Sequence, residues 1–256
     1  MKLTSTNYFT PKANQQYFSV SQFKSFLDCE ASAMAQIRGE WERPMTKALL
    51  EGSYVDAHFA GEMDRFLTEH NEVLNSRNGQ LKAEYTKARR AIEKAESDPF
   101  FMEFMSGEKQ VIVTAELFGV PWKAKIDVLS DERIVDLKYI KDTQKVYQRG
   151  EWKTFVDAYG YDIQGYIYQK AVEQVTGKRL PFYLAVITKE DPSDRMIIEL
   201  PQKVLNVCEG MLAHYVPRFA AIKAGEVEPV RCERCAYCRE TKKLKSVTNY
   251  EDLMED

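Results

Sequence analysis

The stretch Lys125–Tyr139, KIDVLSDERIVDLKY, reads as two apolar runs joined by a polar turn. Ile126, Val128 and Leu129 precede the turn, Ser130-Asp131-Glu132-Arg133 form it, and Ile134, Val135 and Leu137 follow. That pattern predicts a β-hairpin. Side chains alternate across a strand, so Asp136 and Lys138 share one face while Leu137 takes the other. The paired strand brings Asp127 within reach of the same face. Carboxylates hold a hard cation such as Mg²⁺ together with waters and phosphate oxygens. Such a cation lowers the pKa of a water, and a nearby ammonium orients that water or offsets charge on phosphorus oxygens. The same residues on a solvated hairpin would be ordinary surface charges, and the remaining sequence has to decide between the two.

The pattern around the hairpin is mixed. Ser19 starts a helical stripe through Phe23, Phe26, Leu27, Met34 and Ile37. A second helix is expected from Thr46 past His58 to about Glu69, and a third from Leu81 to about Phe104, with a break at Asp98-Pro99. Asn75–Gln80 reads as a polar turn. Strands are expected at 110–118, 122–129, 133–138, 182–188 and 196–200, with helices near 154–156 and over 161–175. Pro201 opens a last helix to about Ala224. The fold class is therefore mixed α/β (α+β): helices lead, a mainly antiparallel sheet follows, and one helix crosses between strands. One domain over 1–256 is expected, with a helical N-terminal part (1–109), a core (110–200) and a C-terminal helix with a cysteine cluster (201–256).

A chain of 256 residues, 44% hydrophobic, can bury a sizeable core. Its net charge of −3 excludes a globally basic nucleic-acid binder, so such a partner would meet a local basic surface. No apolar run reaches membrane-spanning length, and MKLTSTNYFT does not read as a signal peptide, so a cytoplasmic protein without a membrane partner is expected. Five cysteines in that compartment point to thiols or metal ligands rather than disulfides.

Four further residues are candidates for the site. Glu116 lies in the strand before the hairpin and suits another acidic group beside Asp127, or is an exposed strand carboxylate. His58, in GSYVDAHFAGEMDRF, is a ligand candidate if carboxylates face it and otherwise an ordinary helical histidine; imidazole ligation would favour Mn²⁺. Gln164 and Tyr168 sit one helical turn apart and share a helix face.

The order of His58, Glu116, Asp127, Asp136-Leu137-Lys138 and Gln164-x-x-x-Tyr168 resembles the PD-(D/E)XK nuclease superfamily. It is most similar to the RecB-like and RecE-like branch, and within it to phage-encoded exodeoxyribonuclease VIII-type proteins. The likeness runs from about Phe18 to the C-terminal cysteines, although Ile126 stands where the superfamily's leading Pro would be. It implies a restriction-endonuclease-like core and Mg²⁺- or Mn²⁺-dependent hydrolysis of DNA at linear duplex ends, 5′ to 3′. Asp127, Asp136 and His58 would bind metal, Lys138 would position the water, Glu116 would complete the site, and Gln164 and Tyr168 would support it. A single-strand annealing protein as partner and a homo-oligomeric ring also follow from the resemblance. The competing reading is a catalytically silent module that binds DNA ends, and a third is a nuclease for RNA or for nicked or branched DNA.

Cys232, Cys235 and Cys238 form C-x-x-C-x-x-C in RCERCAYCRE and need a fourth ligand to close a metal site, for which Cys29 is the candidate. RecB-like nucleases with an iron–sulfur cluster resemble this arrangement, with one Cys before the core and three after, though here the last spacing is shorter. A [4Fe–4S] cluster, Zn²⁺ or no metal are the three readings, in that order for the two metals. The surrounding Arg231, Arg234, Arg239, Lys242, Lys243 and Lys245 form either a solvated tail or a phosphate-contacting rim.

Overall fold

A computed structural model describes residues 1–75, 79–148, 150–244, 246–247 and 249–251. Part of the expected 75–80 turn, and Lys245, lie outside the described residues. The leading helices are α1 (Pro11–Gln16), α2 (Val20–Asp28), α3 (Glu30–Arg38), α4 (Lys47–Ala60), α5 (Met63–Leu74), α6 (Ala83–Glu96) and α7 (Pro99–Phe104). There follow β1 (Glu108–Leu117), β2 (Val120–Leu129), β3 (Ile134–Ile140), a small hairpin of β4 (Val146–Gln148) and β5 (Glu151–Lys153), then α8 (Phe155–Tyr159) and α9 (Tyr161–Thr176). The chain continues through β6 (Phe182–Thr188), β7 (Arg195–Leu200), α10 (Gln202–Ala224) and α11 (Ala236–Glu240).

Caps and glycines set these bounds. The Ser19 hydroxyl accepts from the Gln22 N–H and starts α2. The stripe that continues from Phe23 to Ile37 is interrupted at Cys29, whose extended backbone (φ −166°) ends α2 and begins α3. The helix expected to run from Thr46 to Glu69 divides at Gly61, whose φ of +72° belongs to a left-handed helix cap. Asp98 accepts from the Phe100 and Phe101 N–H groups, and Pro99 opens α7, so the expected break falls there.

The central sheet has five strands in the order β1-β2-β3-β6-β7. It is antiparallel except for β3 and β6, which are parallel and joined by the α9 crossover. One face, with Ile126, Ile134, Leu184 and Val186, packs against Phe23, Phe26, Ile167 and Phe219 of α2, α9 and α10. The other, with Val128, Val135, Leu137 and Ile187, packs against Tyr54, Val55, Ala88 and Ile92 of α4 and α6. The architecture is the mixed α/β sheet flanked by helices that the residue pattern predicts.

Candidate active site

The strands of the opening hairpin pair only at Val128–Val135 and Leu129–Ile134 and then part. Asp127 and Asp136 are the first residues beyond that pairing. The Asp127 carboxylate bridges the opening: Oδ2 accepts the Leu137 N–H at 2.9 Å and Oδ1 accepts from the Gln110 side-chain amide at 3.1 Å. Gln110 holds a left-handed backbone (φ +55°), an uncommon state for a residue with a side chain and one associated with functional sites.

Asp136 is 1% exposed. Its Oδ1 accepts from the Gln164 amide at 2.6 Å, and its buried Oδ2 faces the Lys138 ammonium. Tyr168, one turn beyond Gln164, donates its hydroxyl to the Lys125 carbonyl at 3.2 Å and so ties α9 to β2. Burial lifts the Asp136 carboxyl to about 7; Lys138 opposes the lift and Asp127 adds to it. Burial works against the Lys138 ammonium, but Asp136 and Asp127 outweigh it and hold the group above the usual lysine range.

The structure thus brings Asp127, Asp136, Lys138, Gln164 and Tyr168 together, and it does not bring His58 or Glu116 to them. His58 Nε2 lies 2.7 Å from Glu96 Oε1. On α4 the residues facing the cleft are Ser53, Asp56, Ala57 and Ala60, and two residues of helix turn His58 about 200° away from Asp56. Asp56, rather than His58, lines the cleft together with Asp127. It stands on the wall of a cleft of about 600 Å³ with Asp127, Gln110, Gln164 and Tyr168, so it is open to water and yet surrounded by protein. That enclosure, with Asp127 and Asp136 nearby, raises its carboxyl, while Lys138 and Lys125 oppose the rise.

Glu116 is displaced by strand register. The β1–β2 turn pairs Leu117 with Val120, which sets Glu116 opposite Pro121, six residues or about 20 Å along β2 from Asp127. Its carboxylate is exposed, and its backbone exchanges hydrogen bonds with the Gln174 side chain. The same register puts Gln110 across from Asp127. Lys24 is a further residue of the cleft without a sequence signal: its Nζ donates to the Tyr159 carbonyl at 2.9 Å. Burial pulls that ammonium down to about 8, and Lys138 lowers it further against Asp136, Asp162 and Asp28.

Cys29, Cys232, Cys235 and Cys238 gather with all four Sγ atoms within 4.8 Å of one another. The break between α2 and α3 presents Cys29, and Cys235 caps the short α11 that carries Cys238. Cys29 Sγ lies 3.6 Å from Cys238 Sγ, and Cys232 Sγ 4.0 Å from the same atom. The Cys235 and Cys238 N–H groups point at the Cys232 and Cys235 sulfurs, an arrangement that favours thiolates. Cys208 is separate, buried in α10 against Asp162.

A mixed sheet whose parted central strands carry D…D-x-K, backed by a helical glutamine, defines a PD-(D/E)XK-type fold. The chain belongs to the family described as "PDDEXK-like domain of unknown function (DUF3799)", which matches residues 19–241. It is 41% identical to a "Putative exonuclease" from Eubacterium rectale of known crystal structure, with a TM-score of 0.96 over 99% of this chain and 98% of that one. No curated protein matches the chain. Among the described residues no helix is long and apolar enough to cross a membrane.

Proposed function

We propose that this protein is a divalent-metal-dependent deoxyribonuclease that degrades linear duplex DNA from its ends, with the whole chain acting as one nuclease domain. One observation carries the reading: Asp136, enclosed in the core, is fixed between Gln164 and Lys138 at the point where β2 and β3 part beside Asp127. A structural role gives no reason to bury a carboxylate there, where its ionised form is disfavoured. Asp127, Asp136 and the accessible Asp56 fit a hard cation, because Mg²⁺ and Mn²⁺ take one or two carboxylates and fill the remaining positions with water and phosphate oxygens. A cation held there supplies an activated water and offsets phosphate charge. Gln164 fixes the orientation of Asp136, the Gln110 amide and the Leu137 N–H fix that of Asp127, and Lys138, beside Asp136, would hold a proton for the reaction.

The finer reading is an exonuclease acting 5′ to 3′ in phage-type recombination in the cytoplasm, with a homo-oligomeric ring and an annealing protein as partner. It is supported by the resemblance to the RecE-like branch.

For the four cysteines we propose one tetrahedral ion, Zn²⁺, in place of the iron–sulfur cluster favoured by the family likeness. A Zn–S bond near 2.3 Å sets the sulfurs of a tetrahedron about 3.8 Å apart. The spacings of 3.6 and 4.0 Å suit that geometry. In a cubane each thiolate takes a different iron, which spreads the sulfurs farther.

The test uses end-labelled linear duplex, closed circular duplex and single-stranded DNA, with Mg²⁺, Mn²⁺ or EDTA. Loss of label from linear DNA alone, abolished by EDTA and by Asp136→Ala, is the expected result. Tight binding to ends without hydrolysis in either metal would overturn the nuclease reading.

A further inference from the structure

We propose that the β4–β5 hairpin is a stacking platform for unpaired bases of the nucleic-acid strand; the proposal rests on the nuclease reading. Tyr147 and Trp152 are directly opposed across the hairpin, with ring centroids 5.4 Å apart at 59°. They are 62% and 67% exposed. The neighbouring pair, Val146 and Lys153, is partly buried, and Val146 packs on the core. A hairpin selected for stability alone would turn its bulkiest apolar side chains inward. This one turns its valine inward and its two aromatic rings outward.

Its place in the chain leads to the site. β3 carries Asp136 and Lys138 and runs through Lys141–Lys145 into the hairpin, and α8 then returns to α9 and Gln164. Tyr159, at the end of α8, is 43% exposed. Its ring lies 5.8 Å from that of Tyr161, over which the Lys138 ammonium sits at 5.1 Å. A half-buried ring, Tyr161, and an exposed one, Tyr159, thus lead outward from Lys138, and α8, which ends at Tyr159, packs against β4 and β5.

Charge identifies the occupant. The described residues of 141–153 include Lys141, Lys145 and Lys153 against Asp142 and Glu151, in a chain whose net charge is −3. Lys141 and Lys153 pair with Asp142 and Glu151, contacts exposed enough to exchange for phosphate. Two rings in basic surroundings are too small and too polar a patch for a stable protein interface. They are sufficient for bases, each of which stacks on an aromatic ring. Inside a duplex the faces of the bases are already covered by their neighbours. The platform therefore fits single-stranded DNA or the frayed end of a duplex.

The full-length protein would be titrated without added divalent metal with a fluorescein-labelled oligo-dT and with a blunt duplex of equal length. Tryptophan emission would be followed in the same titrations. We expect quenching by oligo-dT that is lost in Trp152→Phe. Binding of oligo-dT should be roughly ten- to a hundred-fold weaker in Tyr147→Ala/Trp152→Ala. Tyr147→Phe/Trp152→Phe should bind within about threefold of wild type, since the rings remain. Equal affinity of the alanine variant and wild type would overturn the proposal. So would an equal loss on blunt duplex, or a wild-type dimer that becomes monomeric on substitution. Because the proposed hydrolysis needs added Mg²⁺ or Mn²⁺, the outcome stands whether or not the protein cuts.

Discussion

At the scale of single residues the site turns on a carboxyl that burial makes harder to ionise. Asp136 is raised to about 7, whereas an unfolded aspartate ionises near 4. Between roughly pH 4 and 7 the folded protein binds more protons than the unfolded chain, so this group's contribution to stability falls as pH rises through that window. A cation favours the carboxylate and must displace the proton. Mn²⁺ affinity should therefore rise from about pH 6 to about pH 8, with proton release seen by calorimetry in buffers of different ionisation enthalpy. A flat profile without proton release would mean that Asp136 is already ionised. Asp56 gives a second prediction: Asp56→Asn should lower hydrolysis by about a hundredfold or more, while His58→Ala stays within about threefold of wild type. The reverse ranking would return the ligand role to the imidazole. Asp127, Asp136 and Lys138 were legible because two-residue alternation places them without knowledge of the fold. Asp56 was not, since an aspartate in a helix carries no signal until the helix docks. Its neighbours Ser53, Ala57 and Ala60 mark a small-residue face, and that was the available clue. Gln110 could have been found from register, because a turn pairing Leu117 with Val120 sets residue 110 opposite 127.

At the scale of elements, α9 positions the site by lying very close to the sheet. A Cβ on Gly165 would stand 2.7 Å from the Phe182 ring and 2.9 Å from Leu205, one residue from Gln164. Gly165→Ala should cost about 1–3 kcal/mol of stability by overpacking. It should also lower activity, because the displaced helix moves Gln164 away from Asp136. Urea denaturation together with the cleavage assay checks this, and an unchanged denaturation midpoint would show that the helix has room to shift. The long strands and α9 were legible from apolar periodicity. The divisions at Cys29 and Gly61 were not, because the apolar stripe continues across both. β4 and β5 escaped for another reason: with three residues each and only the Val146–Lys153 pair turned inward, they are too short to generate a pattern.

At the scale of the whole molecule, the cysteine site fastens the leading helices to the far side of the fold. Arg218 of α10 runs beside it, pairing bidentately with Glu30 at 2.7 and 2.8 Å, while Glu30 also accepts the Val230 N–H. Cys29→Ala should reduce bound zinc from about one equivalent to a small fraction and lower the thermal midpoint by several degrees. Elemental analysis and calorimetry read the two effects. A brown protein with iron and acid-labile sulfide in place of zinc would restore the cluster reading. The C-x-x-C-x-x-C run was legible as a ligand set, and its partner Cys29 could be chosen by family likeness. What the thiols hold depends on their separation, which is a property of the folded chain. Cys29 and Cys238 are 209 residues apart, and that interval has a consequence during synthesis. Cys29 leaves the ribosome long before the other three thiols exist, so the emerging chain carries a lone thiol while the sheet is being translated. On the zinc reading, metal loading then becomes one of the last events of maturation, and a chain interrupted before residue 232 would expose that thiol with no means of closing the clasp.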